Sequence, residues 1–326
     1  MSTKKYILEL LESKRGESIS GAYIAEQLNV TRNAVWKAVK ELEKDGYRIK
    51  AVTNKGYCLF DDNDILSVQG MLPFLSDKTI ADKIKIHISL ESTNKTAKEL
   101  AISGAEHGTI IMADYQTVGK GRYNRNFFSL SGHGIYMSFI LRPTQRHWLT
   151  VPTLVTSYAA VSVCEAIETT TGKKPQIKWV NDIFIHDKKI SGILTEAITD
   201  YESGNIQWIV VGIGINFTMP TTGFPENIKD IAGSVFSEDK PTITRNQLAA
   251  EIVNRILNIE NNCDSNTLLA EYKKRLMMIG KKVIVTGLHE PFEAMAVDID
   301  EVGRLIVKKD NGEVISLFSG EISIDV

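Results

Sequence analysis

The sequence predicts a multidomain α+β protein, and three observations carry that expectation. Three short helical stretches and a hairpin occupy residues 1–60, strands and helices then alternate up to about residue 275, and short alternating strands follow from Lys281 onward. At 326 residues, with 43% hydrophobic and 24% charged residues, the chain is long enough for two or three globular domains. The longest apolar run, Trp208 to Ile215, is too short to span a bilayer, and Met1-Ser2-Thr3-Lys4-Lys5 lacks a signal-peptide core. A cytoplasmic protein with no membrane association is expected. Cys58, Cys164 and Cys263 are far apart and form no CxxC pair, which argues against a disulfide framework and a zinc site and leaves them as small core residues.

The first segment, residues 1–62, reads as a winged helix-turn-helix. Tyr6, Ile7, Leu10 and Leu11 keep helical spacing, Ser20 precedes a second helix from Gly21 to Leu28, and Asn29-Val30 makes the turn. Thr31 caps a third helix whose buried stripe is Ala34, Val35, Ala38, Val39 and Leu42; Gly46 ends it. Tyr47 to Val52, the turn Thr53-Asn54-Lys55-Gly56, and Tyr57 to Phe60 complete a hairpin. This layout places Thr31, Arg32 and Asn33 nearest DNA base edges, Trp36 on the same outer face, and Lys37, Lys40 and Lys55 toward phosphates; the alternative is a protein-interaction or dimerisation module with a solvated charged face. Residues 1–60 carry 11 Lys+Arg against 7 Asp+Glu, and the remainder 27 against 33. A basic head on an acidic body suits a DNA-binding module joined to something else.

Asp61-Asp62-Asn63-Asp64 reads as a linker into a domain spanning 63–278. Strands are expected at Ile84–Ser89, Thr109–Ala113, Gly134–Leu141, Gln176–Trp179, Ile183–His186, Lys189–Ala197 and Ile206–Ile215. Helices fit Asn94–Ser103, Pro152–Thr171, Arg245–Ile259 and Asn266–Met278, so strands outnumber helices and a mixed α/β arrangement is favoured. Residues 279–326 alternate as Val283–Val285, Phe292–Ile299, Arg304–Val307 and Val314–Leu317, with Asp310-Asn311-Gly312 as a turn, which reads as a small β-barrel.

The chemistry concentrates in the middle domain. Gln116-Thr117-Val118-Gly119-Lys120-Gly121-Arg122-Tyr123-Asn124-Arg125 follows an apolar strand and crowds cations beside glycines, the composition of an anion-holding loop. It is not a P-loop, because Lys120 precedes Gly121 rather than Ser or Thr, and Gly212-Ile213-Gly214 lacks the third glycine of a dinucleotide fingerprint. Glu91-Ser92-Thr93-Asn94 opens a helix, where hydroxyls and free N–H groups either cap it or bind ligand atoms. In Ile177-Lys178-Trp179-Val180-Asn181-Asp182-Ile183 a lysine among apolar neighbours calls for an anionic partner, either a ligand or Asp182. Gly212-Ile213-Gly214-Ile215-Asn216 ends an apolar strand with bare backbone against which a planar ring could pack, Asn216 adding a donor and an acceptor.

In family order, Ser92-Thr93-Asn94, Gln116, Gly119-Lys120-Gly121-Arg122 with Arg125, Lys178-Trp179 with Asn181-Asp182, Ser191-Gly192-Ile193-Leu194 with Glu196, and Gly212 to Asn216 resemble the biotin protein ligases. With the winged helix-turn-helix, nearly the whole chain resembles the bifunctional biotin operon repressor class. Departures are Lys120 for an arginine, Asn124 for a glycine, Phe127 for a tryptophan and Val180 for a proline; Lys120 keeps charge without the bidentate fork, which bears on retention of the intermediate.

The resemblance implies a class II synthetase-like biotin/lipoate ligase domain followed by an SH3-like β-barrel. It implies two reactions: biotin and ATP give biotinyl-5'-adenylate, and a lysine of a biotin carboxyl carrier protein or other acceptor domain then takes the biotin. Ser92, Thr93, Asn94, Gln116, Gly121, Gly212 and Gly214 would form the biotin site, with Lys120, Arg122 and Lys178 neutralising carboxylate and phosphate. Lys178 and Arg122 are the expected catalytic pair. Arg125, Phe127, Asn181 and Asn216 would join Lys120 and Arg122 around ATP and the adenylate. Magnesium is expected with ATP, Asp182 being the candidate ligand. Operator DNA and an adenylate-bound homodimer complete the expected partners. The alternatives are a lipoate ligase and a catalytically silent biotin-sensing repressor.

Overall fold

In the computed structural model, which describes residues 2–143, 150–200, 202–258, 264–287, 290–318 and 320–324, the N-terminal helices begin where the sequence supplies a hydroxyl cap. Ser2, Ser20 and Thr31 accept from the N–H groups of Lys5, Ala22 and Ala34 at 3.4, 3.2 and 3.2 Å. They open α1 (Thr3–Ser13), α2 (Gly21–Gln27) and α3 (Arg32–Lys44). Val35, Ala38, Val39 and Leu42 of α3 share a core with Ile7, Leu8 and Leu11 of α1, whereas Ala34 is only half-buried. The wing is the antiparallel pair β1 (Ile49–Val52) and β2 (Gly56–Leu59). Gly56 is required there: its φ is 108°, and a Cβ would come 1.9 Å from the Ile19 carbonyl oxygen, against which the hairpin is bridged.

Of residues 61–64, expected as a linker, Asp61 and Asp62 are exposed, but Asn63 and Asp64 are tied into the fold. Arg15 explains why: its Nε meets the buried Glu12 carboxylate at 2.6 Å, and its Nη1 donates to the Asn63 carbonyl at 2.6 Å. Asn63 Oδ1 accepts from the Arg48 N–H at 2.9 Å, and Asp64 accepts from the N–H and Nε of Arg245 at 2.9 and 3.3 Å. Burial pushes the Glu12 and Asp64 carboxyls above the ordinary range, and Arg15 and Arg245 pull them back. The short helix α4 (Val68–Met71) follows. Residues 1–82 with 243–251 form one compact unit, and 83–242 with 252–326 a second.

The second unit holds a seven-stranded sheet in the order β3-β4-β5-β9-β8-β7-β6. Its strands are β3 (Ile84–Leu90), β4 (Thr109–Gln116), β5 (Gly134–Leu141), β6 (Gln176–Lys178), β7 (Asp182–Ile185), β8 (Lys188–Thr199) and β9 (Ile206–Asn216). Only β3 and β4 run parallel. Helix α5 (Thr93–Ile102) sets Ala97 and Ala101 on Ile111, Ile140, Trp208 and Val210, while α6 (Pro152–Thr171) packs on β7, β8 and β9.

Helix α7 covers Arg245–Leu257; Ile259, its expected end, and Cys263 lie outside the described residues. Helix α8 (Ser265–Arg275) stops short of the expected Met278 because Leu276 bridges Ile177 and the Met277 N–H donates to the Ile177 carbonyl at 3.0 Å, which draws the chain onto the sheet edge. The C-terminal strands β10 (Lys282–Thr286), β11 (Phe292–Ile299), β12 (Leu305–Lys308), β13 (Val314–Leu317) and β14 (Glu321–Ile324) make a five-stranded antiparallel sheet in the order β13-β12-β11-β10-β14. Strand β14 was not anticipated. Cys164 is buried as expected, while Cys58 is only half-buried. Among the described residues no helix is long and apolar enough to cross a membrane.

Candidate active site and nucleic-acid interface

Residues paired across antiparallel strands share a face, so the register alone builds the floor of a cleft. Ile111, Ser138, Gly212 and Leu194 form one row, and Ala113, Tyr136, Gly214 and Gly192 the next, on the side covered by α5. The bare backbone of Gly212 and Gly214, expected to receive a planar ring, is partly filled from within. A Cβ at Gly212 would lie 1.9 Å from Asn94 Oδ1, and one at Gly214 would lie 2.6 Å from the Phe127 ring. Asn94 is therefore committed to the protein. Its Oδ1 accepts from Ser138 Oγ at 2.7 Å, and its Nδ2 donates to the Leu194 carbonyl and Glu196 at 3.2 and 2.9 Å.

Ser92 starts α5 without any hydrogen bond from its hydroxyl to the helix, so simple capping does not account for it. Thr93 donates through its N–H and hydroxyl to Gln116 Oε1 at 2.8 and 3.2 Å, and Gln116 Nε2 donates to Ser129 Oγ at 2.9 Å. The anion loop is a hairpin: the Phe127 N–H donates to the Gly119 carbonyl at 2.8 Å, and the Gly121 N–H to Arg125 at 2.7 Å. Its tip holds Tyr123 and Asn124 at φ 54° and 59°, the left-handed pair that a two-residue turn demands, and asparagine tolerates that region well. Gly121 is not forced by neighbours, since a Cβ there would meet nothing closer than 3.6 Å.

These elements surround a cavity of about 430 Å³. Ser92, Thr93, Asn94, Gln116, Lys120, Gly121, Arg122, Arg125, Phe127, Lys178, Asn181, Asp182, Gly212, Gly214 and Asn216 all line it. Five cations, Lys120, Arg122, Arg125, Lys178 and Lys189, face two carboxylates, Asp182 and Glu321, so the cleft has a surplus of positive charge. Arg122 donates to Asn181 Oδ1 at 3.3 Å, Asn181 Nδ2 to the Ile193 carbonyl at 2.8 Å, and Asn216 Nδ2 to the Gly233 carbonyl at 2.9 Å. Arg125 pairs with Glu321 at 2.7 Å.

Asp182 pairs with Lys189 at 2.7 Å rather than neutralising Lys178 by contact, although it sits opposite Lys178 in the β6–β7 register. Among the described residues Lys178 has no hydrogen bond or ion pair; its Nζ lies 5.9 Å from the centre of the Phe184 ring. Burial pushes its ammonium below the ordinary lysine range, with Asp182 partly opposing the shift. A partly desolvated cation with no hydrogen bond or ion pair is a standing cost that an anionic ligand would offset. The described residues contain no cluster of three or more acidic, His or Cys side chains able to cage a metal. Asp182 and Glu321 each offer a carboxylate already engaged by a cation, which fits only a magnesium ion held mainly by phosphates and water.

Sequence reasoning missed Lys189, Tyr123, Ile228, Ile231, Ala232 and residues 320–323, all of which line the cavity. Lys189 had a legible signal, an opposite charge seven residues after Asp182 across a tight hairpin. Glu321 had none, because 196 residues separate it from Arg125. On the other unit, Thr31, Arg32, Asn33, Trp36, Lys37, Lys40 and Lys55 are all exposed, Lys40 being paired with Glu43 at 2.6 Å.

The HTH domain profile matches residues 3–58, the Biotin/lipoate A/B protein ligase family residues 87–216, and the Biotin protein ligase C terminal domain residues 278–325. The bifunctional ligase/repressor BirA of Bacillus subtilis is 34% identical over 327 residues, covering 98% of each chain. The chain belongs to the bifunctional biotin ligase and repressor family. The Escherichia coli BirA shares 27% identity with this ligase–repressor over 313 residues, covering 95% of this chain and 94% of that protein. The biotin protein ligase from Aquifex aeolicus, solved in complex with biotin and ATP, superposes with a TM-score of 0.62 at 25% identity, covering 74% of this chain and 98% of the other.

Proposed function

We propose that this chain is a biotin protein ligase that also represses transcription of biotin genes. The observation that carries the enzymatic half is the surplus of cations around the cleft, among them the half-buried Lys178, which has no hydrogen bond or ion pair among the described residues. A biotin carboxylate oxygen attacks the α-phosphorus of ATP and pyrophosphate leaves; the amine of an acceptor lysine then attacks the acyl carbon and AMP leaves. Both anions of the first step repel each other, and Lys120, Arg122 and Lys178 offset that repulsion. Ser92, Thr93 and Gln116 offer the polar groups for the ureido ring, with Gly212 and Gly214 shaping the floor beside them. Arg125, Phe127, Asn181 and Asn216 serve the nucleotide. Magnesium would arrive with the triphosphate, with Asp182 as its protein ligand.

The regulatory half is carried by the exposed basic face of α3 and the wing. Adenylate held in the cleft favours a homodimer, and two copies of α3 then read a palindromic operator. The acceptor is a biotin carboxyl carrier protein or similar domain.

The decisive experiment is biotin-dependent exchange of labelled pyrophosphate into ATP, with lipoate in parallel. Exchange with biotin alone is expected. Exchange with neither acid would instead favour a catalytically silent sensor. For the regulatory half, adenylate should promote an operator gel shift that Arg32→Ala weakens; a shift that Arg32→Ala leaves intact would remove α3 as the reading helix.

A further inference from the structure

We propose that Tyr123 is a positioning residue that latches the anion loop to the C-terminal sheet and so sets how long the adenylate stays in the cleft. The inference rests on the ligase reading above. Tyr123 holds φ 54° and ψ 34°, a conformation that disfavours any residue with a Cβ. Its ring is 53% exposed, so burial does not account for a tyrosine at that place. The hydroxyl does. Tyr123 Oη accepts from the Gly320 N–H at 3.2 Å and from Arg122 Nη2 at 3.3 Å, and the Arg122 guanidinium carbon lies 5.0 Å from the ring centre.

Gly320 leads directly into β14, whose Glu321 takes Arg125 at 2.7 Å, so two ties run from the loop tip to the C-terminal sheet. They differ in kind. The Arg125–Glu321 tie is ionic, and ligand phosphates compete for the same guanidinium. The Tyr123–Gly320 tie is neutral, so an anionic ligand competes for it less strongly than for the Arg125 guanidinium. Ligand leaves when the loop lifts, and lifting breaks this bond.

The test uses the full chain and Tyr123→Phe, which removes only the hydroxyl. Labelled adenylate is formed in place from biotin and ATP, and its release is followed after a chase with unlabelled biotin and ATP. Release is expected to be roughly fivefold faster in Tyr123→Phe, the effect of one neutral hydrogen bond, with the melting temperature unchanged. Tyr123→Ala, which also removes the ring beside Arg122, should show the faster release together with a lower kcat for pyrophosphate exchange. A Tyr123→Phe protein that makes adenylate and releases it at the wild-type rate overturns the latch alone. A wild-type chain that makes no adenylate sinks the ligase reading and the latch with it.

Discussion

Lys178→Met separates the catalytic use of a half-buried cation from its effect on the fold. The ammonium is partly desolvated and makes no hydrogen bond or ion pair among the described residues, so methionine removes a charge and the distant approach to the Phe184 ring without breaking a hydrogen bond or ion pair. Because burial lowers the folded-state pKa of Lys178, the folded protein is penalised while both states are protonated, below that lowered value. The penalty is relieved as pH rises from it toward the ordinary value of about 10.4. Stability at neutral pH should therefore hold or rise in Lys178→Met. Adenylation should fall by roughly 100-fold, the effect of losing one preorganised charge contact of about 3 kcal/mol. The assay is pyrophosphate exchange read beside a urea melt. In the wild type, kcat/KM for biotin should also decline on the alkaline side at a lower pH than an ordinary lysine gives, and Lys178→Arg should lose that decline because guanidinium keeps its proton. A loss under about threefold in Lys178→Met, well short of one charge contact, would refute the assignment, and so would an unaltered alkaline limb in Lys178→Arg.

Two further outcomes follow from packing. Gly212→Ala places a Cβ 1.9 Å from Asn94 Oδ1, so the Asn94 bonds to Ser138, Leu194 and Glu196 must give way. A stability loss of about 2 kcal/mol or more is expected by denaturant melting, against little change in stability for Gly121→Ala. Arg15→Met strands the buried Glu12 without its cation and should cost about 3 kcal/mol, most of it recovered when Glu12→Leu is added; a double variant no better than the single would show that the pair is not what matters.

What the sequence determined by itself is local. Ser20 and Thr31 open helices because capping is a matter of three or four neighbouring residues, and Gly56 marks the wing because the turn asks for a positive φ that glycine adopts freely. The anion loop was legible for the same reason: its cations, glycines and turn lie within ten residues. Tertiary structure decided the rest. Asn94 turned inward because the β5–β9–β8 register sets Ser138, Gly212 and Leu194 beneath it, and no motif encodes a register. Helix α8 ended early because β6 offered Leu276 and Met277 a pairing edge. Asp182 chose Lys189 over Lys178, and Arg125 met Glu321, because ion pairing follows distance in space. That distance is fixed only when strands remote in sequence pack together.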